Sequence, residues 1–328
     1  MKKSNWPKIL GSLVAVVVLI SVLIVLYIVW FLPDIPLKEI RVETSSLRVE
    51  RGKYLANHVM VCVDCHSTRD WGRFSGPMVP GTEGKGGEVF DQKMGFPGSF
   101  SSPNITPYRL KDWSDAEIYR AITSGVSKDG HPLFPIMPYP AYGTLDTEDI
   151  YAVIAYIRSL APVESSPSRS DPTFPMNIVL HLFPGKDAPG TRPAATDTAG
   201  YGEYLVRASG CIECHTPARH GQIDRSQAFS GGREFELPDG MLSSSNITPD
   251  PETGIGNWTL PLFLARFKSY DPALHPARVI TKGDQQTIMP WTMYAGMDTT
   301  DLAAIYRYLH GLAPVKHKVL KSRPLVGK

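Results

Sequence analysis

A continuous apolar stretch near the N-terminus is the most extended hydrophobic pattern in the chain. Residues 9–32 contain no charged side chain over 24 positions and are rich in Val, Leu and Ile. At about 1.5 Å per residue, a helix of this length spans the roughly 30 Å hydrocarbon core of a bilayer. Tyr27, Trp30 and Pro33 stand where a cleavable signal peptide would have small residues. The pattern therefore predicts that residues 1–33 form a retained transmembrane anchor, and not a signal peptide or a core helix.

The charges on either side of this predicted helix indicate its orientation. Lys2, Lys3 and Lys8 precede the helix and Asp34 follows it. Because positively charged flanks remain on the cytoplasmic side, the rest of the chain is expected outside the cytoplasm. The chain is therefore predicted to cross a membrane once, with its soluble part outside the cytoplasm.

Two later segments have apolar residues at helical spacing. In each, the apolar side chains fit one face of an amphipathic helix. Asp146 or Thr147 is a suitable N-cap for the first helix, and Asp298 or Thr299 for the second. A Leu-Ala-Pro-Val sequence ends each helix. The apolar positions are Ile150, Val153, Ile154, Ile157 and Leu160 in the first segment, and Leu302, Ile305, Tyr306, Leu309 and Leu312 in the second.

The two segments close the two copies of an internal repeat. Gly52 and Gly202, which begin equivalent Gly-x-Tyr-Leu sequences, are 150 residues apart. In both copies a Cys-x-x-Cys-His motif, a Ser-x-Asn-Ile-Thr-Pro loop, a Trp and an Ile-Met-Pro sequence follow in the same order. A repeat of this length predicts two related domains. The matched positions are 62–66 with 211–215, 102–107 with 244–249, Trp113 with Trp258, 136–138 with 288–290, and 160–163 with 312–315.

The repeat sets the predicted domain boundaries. Residues 34–46 link the anchor to domain 1, which comprises residues 47–163, and domain 2 comprises residues 199–328. Between them, residues 164–198 contain six prolines and are predicted to form a stiff linker that crosses a surface. The apolar centre of this linker, residues 174–183, is expected to lie against a domain.

All four cysteines of the chain lie in the two Cys-x-x-Cys-His motifs: Cys62 and Cys65 in the first, Cys211 and Cys214 in the second. On one helical turn, both thiols can form thioethers with a haem while the adjacent histidine ligates its iron. Disulfides and a zinc site are the alternatives, but neither accounts for a histidine in both motifs. A zinc ribbon would also place its cysteine pairs about 15–20 residues apart. The motifs therefore predict two covalently bound haem c groups.

Each predicted haem iron needs two axial ligands. His66 and His215 are the expected proximal ligands, because they directly follow the second cysteine of each motif. Met137 and Met289, which precede prolines at equivalent positions, are the expected distal ligands. The competing distal ligands are His131 in domain 1 and His275 in domain 2, although neither has a counterpart in the other copy. The remaining histidines are interpreted as surface or packing residues: His58, His181, His220, His310 and His317.

Other repeated residues have less specific interpretations. The lack of a side chain at Gly52 and Gly202 is expected to let the first helix of each domain approach Tyr156 and Tyr308 of the closing helix. The tryptophans at 113 and 258 could bond a haem propionate or pack in the core. The Asn-Ile-Thr-Pro loops fit plain turns, since Asn and Pro favour turns for backbone reasons alone.

Taken together, these motifs resemble the cytochrome c subunits of bacterial membrane-bound dehydrogenases that oxidise alcohols, gluconate or other sugars in the periplasm. The resemblance covers about residues 47–328. It implies an all-α fold of two tandem cytochrome c domains, with long loops around each haem, and it implies iron ligation by the motif histidines and the methionines before proline. Such subunits generally carry three haems, whereas this chain has two attachment motifs.

Charge and composition narrow the function further. The 34 basic and 32 acidic residues nearly balance, so no nucleic-acid-binding footprint is present. Two irons with His and Met ligands are coordinatively saturated, which favours single-electron relay over catalysis. The predicted partners are the cytoplasmic membrane, a dehydrogenase or quinol-oxidising complex as donor, and a terminal acceptor such as a cytochrome oxidase. The alternative is a dihaem enzyme, peroxidase-like or thiosulfate-oxidising, with one open iron.

Overall fold

One long helix precedes a body that is mostly helical. The computed structural model describes residues 6–219, 221–237 and 240–323, so Lys2, Lys3 and His220 lie outside the described residues. Helix α1 comprises Trp6–Phe31. Within it, the segment Lys8–Phe31 has a mean hydropathy of 3.2, and none of it is buried against the rest of the protein. The segment is long and apolar enough to cross a membrane. The predicted N-terminal apolar helix is thus confirmed as a helix.

In each repeat, the first and last long helices pack against each other. Helix α2, Ser46–Tyr54, lies on α7, Thr147–Ser159, and α9, Thr198–Ala208, lies on α13, Thr299–His310. A Cβ atom on Gly52 would lie only 1.8 Å from the Ala152 carbonyl oxygen. A Cβ atom on Gly202 would lie 2.1 Å from the corresponding oxygen of Ala304, and both would lie 2.9 Å from the Cβ of Tyr156 or Tyr308. The predicted close approach at these glycines is confirmed.

The remaining helices are short and are separated by long loops. A π-helical turn, Leu55–Val59, extends α2, and the single-turn helices α3 and α10 contain the cysteines. Their bounds are α3 Cys62–Cys65, α4 Pro107–Leu110, α5 Asp115–Ser124, α6 Tyr139–Tyr142, α8 Met176–Val179, α10 Cys211–Cys214, α11 Leu260–Lys268 and α12 Trp291–Tyr294. The 3₁₀ turns are Gln92–Met94, Leu180–Leu182 and Arg225–Gln227.

In the part of the chain that the structure describes, three small antiparallel sheets accompany the helices, so the all-α prediction is incomplete. Their strands have two to four residues, which is too short for a period-two pattern to predict them. The strands of the first sheet are β1 Val89–Phe90, β2 Gly98–Ser101 and β3 Asp171–Pro172. The second sheet contains β4 Ala218–Arg219 and β5 Gln222–Ile223, and the third contains β6 Glu234–Leu237, β7 Gly240–Ser243 and β8 Ser322–Arg323.

The segment between the repeats contacts both a repeat and the long helix. Strand β3 pairs with β2 and so joins the sheet of the first repeat. Helix α8 and the following 3₁₀ turn, which form the apolar centre of the segment, pack against α1. Phe174 and Leu182 remain 78% and 53% exposed. The apolar centre thus packs against the apolar helix α1, and its contact with a domain stays a prediction.

The two repeats share one continuous apolar core. It contains Leu55 and Ile150 of the first repeat and Leu205 and Leu302 of the second, all at most 1% exposed. Beside this core, hydrogen bonds connect α2 to α13 and α9 to α7, and so cross between the repeats. The core therefore fixes how the two cysteine-bearing helices are placed within a single body.

Candidate haem-binding sites

The four cysteines lie on two equivalent helical turns. Helices α3 and α10 both begin after a residue in the left-handed region, Val61 with φ 47° and Gly210 with φ 64°. This sharp turn separates each cysteine helix from the longer helix before it. All four sulfurs are free thiols. Each pair therefore stands on a single turn with the histidine directly after it, as covalent haem attachment requires.

The thiol environment disfavours thiolate chemistry. Burial raises the pKa of Cys62, Cys65 and Cys211 to about 12, and it raises the pKa of Cys214 in the same direction. Thiols with raised pKa values are protonated at neutral pH. In the described part of the chain, no three His, Cys, Asp or Glu side chains converge to hold a metal ion. The lack of such a cluster among the described residues disfavours the zinc alternative.

Each motif histidine is oriented by a hydrogen bond to a backbone carbonyl. Nδ1 of His66 donates to the Pro103 carbonyl oxygen at 2.8 Å, and Nδ1 of His215 donates to that of Ser245 at 2.7 Å. The proton on Nδ1 leaves the lone pair on Nε2 free to bind a metal. Burial also lowers the pKa of both imidazoles, which favours their neutral, ligating form. Both side chains thus fit the role of proximal haem ligand.

The carbonyls that hold the histidines come directly before the Asn-Ile-Thr-Pro loops. Oδ1 of Asn104 accepts hydrogen bonds from the backbone N–H and the hydroxyl of Thr106, both at 2.8 Å. Nδ2 of Asn104 donates to the Val163 carbonyl at 2.8 Å, and the Val163 N–H donates to the Thr106 hydroxyl at 3.2 Å. The loop is therefore tied to the end of the closing helix. The interpretation of these loops as plain turns is wrong, since the carbonyl just before each Asn accepts the hydrogen bond of the motif histidine.

The same network is present in the second repeat. Asn246 accepts from the N–H and hydroxyl of Thr248 at 2.9 and 2.7 Å, and donates to the Val315 carbonyl at 2.8 Å. The Val315 N–H donates to the Thr248 hydroxyl at 3.1 Å. Two of the repeated motifs, Asn-Ile-Thr-Pro and Leu-Ala-Pro-Val, are thus the two halves of one contact.

One glycine in each repeat, which sequence reasoning missed, bonds the backbone of the motif histidine. The N–H of Gly86 donates to the His66 carbonyl and that of Gly231 to the His215 carbonyl, both at 2.8 Å. Both glycines have positive φ angles, 74° and 75°. A Cβ on Gly86 would lie 2.6 Å from the Ser102 carbonyl oxygen, so only glycine fits. The signal was available in the sequence, because a Gly-Gly pair follows the motif in both repeats.

The predicted distal methionines occupy equivalent, half-buried positions. Met137 and Met289 both pack against the apolar core, just before the short helices α6 and α12. Their carbonyls accept hydrogen bonds from the backbone N–H of Tyr139 at 2.7 Å and of Trp291 at 2.8 Å. By contrast, His131 and His275 are exposed. The two methionines are thus more buried than the two competing histidines.

A buried tyrosine connects each methionine loop to the segment before the cysteines. The Tyr142 hydroxyl donates to the Met60 carbonyl at 3.0 Å, and the Tyr294 hydroxyl donates to the Ser209 carbonyl at 2.7 Å. Each of these carbonyls lies two residues before the first cysteine of its motif. The loop of each predicted methionine ligand is therefore joined to the segment just before its cysteine motif.

Two buried hydroxyls near the methionines have no partner within the described residues. They belong to Tyr139 and Thr292. Buried polar groups are nearly always hydrogen-bonded, so both hydroxyls fit contact with a polar group of a bound cofactor. Trp113 and Trp258 pack against the apolar core. The residues present thus fit a haem in each repeat.

The other histidines described by the structure have packing roles or partners within the protein. Nδ1 of His58 donates to the Met293 carbonyl at 2.9 Å, between the repeats. The His310 ring packs on Tyr306 with centroids 4.0 Å apart. His181 and His317 bond the backbone carbonyls of Ile178 and Ser230.

Comparison with known proteins agrees with this class of site. No protein-family model matches the chain. The chain is 30% identical over 286 residues to the gluconate 2-dehydrogenase cytochrome c subunit of Pantoea cypripedii. The aligned region covers 82% of this chain and 60% of that subunit. It is 31% identical over 293 residues to the alcohol dehydrogenase (quinone) cytochrome c subunit of Gluconacetobacter polyoxogenes, covering 83% and 58%. It is also 28% identical over 198 residues to a diheme cytochrome c-type protein of Cereibacter sphaeroides, covering 57% and 63%.

The homologues of this chain are thus cytochrome c subunits of dehydrogenases and a dihaem cytochrome c. The resemblance predicted from the motifs is confirmed. These dehydrogenase homologues are electron-transfer subunits and not catalytic subunits, which supports the prediction that the chain is not itself an enzyme. The chain spans less than two thirds of the length of these three relatives.

Proposed function

We propose that the chain is a membrane-anchored dihaem cytochrome c that relays single electrons on the periplasmic face of the cytoplasmic membrane. The donor is a dehydrogenase or a quinol-oxidising complex, and the acceptor is a terminal component such as a cytochrome oxidase. Two cytochrome c domains, residues 47–163 and 199–328, each carry one haem c. The similarity to dehydrogenase cytochrome subunits supports this assignment of donor class.

One observation carries the proposal. In both repeats, a histidine directly follows two thiols on one helical turn. The Nδ1–H of this histidine donates to a backbone carbonyl, that of Pro103 or Ser245, which leaves Nε2 free. A structural disulfide or a plain turn would not need this arrangement, and a zinc site would need further ligands. The arrangement fits an axial ligand whose ring orientation is fixed by its second nitrogen.

The side chains divide the work of holding each cofactor. Cys62 and Cys65 form the thioethers of the first haem, and Cys211 and Cys214 those of the second. His66 and His215 are the proximal ligands, and Met137 and Met289 are the distal ligands. A bound haem supplies an iron that changes oxidation state by one electron, at a potential that a methionine ligand raises. Both methionines pack against the chain's apolar core.

The apolar helix α1 supports the membrane assignment. It is followed directly by the soluble part, so an anchored chain confines electron relay to the membrane surface. Lys8 precedes the apolar stretch and Asp34 follows it, which by the positive-inside rule favours a periplasmic body. The exposed Phe174 and Leu182, beside α1, fit a position close to the lipid.

The direct test is the mass of the mature protein. Full-length chain produced in a host with c-type maturation should carry two haem additions by mass spectrometry. The double variant Cys62→Ser/Cys65→Ser should carry one, and so should Cys211→Ser/Cys214→Ser. A wild-type mass with one haem or none contradicts the proposal, as does loss of both haems in either variant when the protein remains folded.

A further inference from the structure

A loop of the first repeat lies directly on the methionine loop of the second repeat. The Ser75 hydroxyl donates to the Met289 carbonyl at 2.6 Å and accepts from the Trp291 N–H at 3.0 Å. Ser75 is completely buried. These contacts join residues 214 and 216 positions apart in the chain. A side chain of the first repeat thus holds the backbone of the predicted distal ligand of the second.

The backbone of Ser75 is itself fixed from both repeats. Its N–H donates to Oε1 of Gln286, in the second repeat, at 2.8 Å. Its carbonyl accepts from Nη2 of Arg69 at 2.7 Å. The same guanidinium pairs with the buried Asp64 carboxylate at 3.2 Å, between the two cysteines of the first motif. A short series of polar contacts therefore connects the first cysteine helix to Met289.

This contact has no counterpart at the other methionine. Within the described residues, the Met137 carbonyl accepts a hydrogen bond only from Tyr139, in its own loop. Ser75 also adopts φ 69°, a left-handed conformation that costs free energy for a non-glycine residue. The strained backbone and the one-sided contact both indicate that the position of this hydroxyl matters for the second site.

We propose that Ser75 is a positioning residue for Met289, so that docking of the first repeat sets the strength of distal ligation in the second. The proposal rests on Met289 being an iron ligand. Without the hydroxyl, the Met289 carbonyl keeps only the Trp291 N–H, and the loop that carries the thioether is less constrained. A weaker thioether contact lowers the reduction potential, because methionine ligation favours the reduced iron.

The test uses the full-length, haem-loaded protein in detergent. Ser75→Ala should keep two haems and two thioether attachments, while the reduction equilibrium constant of the second haem falls about tenfold, equal to about 59 mV for one electron. The potential of the first haem should not change. Ser75→Gly removes the same hydroxyl but relieves the positive φ, so it should reproduce the shift even if Ser75→Ala folds poorly.

Two further variants serve as controls. Ser159→Ala removes a hydroxyl that also donates to a carbonyl, that of Tyr156 at 2.7 Å, but within the first repeat, and it should leave the second potential unchanged. Met289→Ala identifies which potential belongs to the second haem. If Met289→Ala alters neither haem, the ligand assignment fails and the inference fails with it. If Met289→Ala alters one haem but both Ser75 variants keep the wild-type potentials, or lower both equally, the inference alone is overturned.

Discussion

The hydroxyl of Tyr54, in the first repeat, donates a 2.7 Å hydrogen bond to the carboxylate of Asp301, in the second. At the equivalent positions, the Tyr204 hydroxyl donates to the carboxylate of Asp149, also at 2.7 Å. Each repeat thus gives its tyrosine to the other repeat's aspartate. This reciprocity is what a two-fold symmetric dimer interface would show, here formed within one chain.

The two aspartates differ in their other partners. Asp149 also accepts two 3.0 Å hydrogen bonds from Arg51 and one of 2.6 Å from Arg192. Asp301 accepts only one further hydrogen bond within the described residues, from the Tyr201 hydroxyl at 3.4 Å. Position 201 is the equivalent of position 51, so a tyrosine in one repeat replaces an arginine in the other. Within the described residues, the carboxylate of Asp149 is therefore ion-paired, whereas that of Asp301 is bonded to tyrosine hydroxyls alone.

We predict that neutralising these two carboxylates has different effects. Asp149→Asn should lower the free energy of unfolding by about 2 kcal/mol, because the buried Asp149 carboxylate is the charged acceptor of two partly exposed arginines, Arg51 and Arg192. Asp301→Asn should cause no such loss at neutral pH, since its amide oxygen can still accept the Tyr54 hydroxyl. Thermal unfolding of the two haem-loaded variants would measure the difference. Equal losses in both variants would contradict this account of the interface.

The buried carboxylate of Asp301 should also make the stability of the protein depend on pH. Burial raises the pKa of Asp301 above its ordinary value of 3.8, despite the opposing hydrogen bond from Tyr54. Between 3.8 and the raised value, the folded chain binds more protons than the unfolded chain, so the contribution of Asp301 to stability falls as pH rises. Melting temperatures measured from acid to neutral pH should show this fall in wild type relative to Asp301→Asn. Parallel curves for the two proteins would exclude it.

The contacts of Gly52 and Gly202 with the closing helices can be tested by a second pair of variants. Gly52→Ala and Gly202→Ala should each destabilise the protein by about 2 kcal/mol or more, because a Cβ atom at either position overlaps a backbone oxygen of the closing helix. Gly185→Ala is the control, since a Cβ there meets no atom within 4 Å. Chemical denaturation followed by the haem absorbance would measure the change. Glycine variants as stable as the control would mean that the helices are farther apart than described.

The anchor can be tested by replacement. If residues 1–33 are exchanged for a cleavable signal, the haem-loaded product should leave the membrane fraction, because the described residues contain one helix long and apolar enough to span a bilayer. The exposed Phe174 and Leu182 could retain weak attachment to lipid, so the washed membranes should also be treated with salt and with detergent. A product that only detergent releases would reveal a second membrane attachment.

The sequence predicted a structural feature correctly where a residue type has a single steric consequence, as glycine does on a helix face. It placed Gly52 and Gly202 against their closing helices because a repeated glycine on a helix face signals close packing. It paired the Asn-Ile-Thr-Pro loops by position but missed their contact with the histidines, because a backbone carbonyl leaves no signal in the sequence. The contact between Ser75 and Met289 joins residues 214 positions apart in only one repeat, so neither local propensity nor the internal repeat could indicate it.

The distal ligands decide between electron relay and catalysis, and carbon monoxide binding tests them most directly. If Met137 and Met289 close both irons, reduced wild-type protein should bind no carbon monoxide, whereas Met137→Ala and Met289→Ala should each bind one equivalent and retain two haems. His131→Ala should behave like wild type. Binding of carbon monoxide at one haem of the wild-type protein would contradict the relay, because it would reveal an open iron where this account places a methionine.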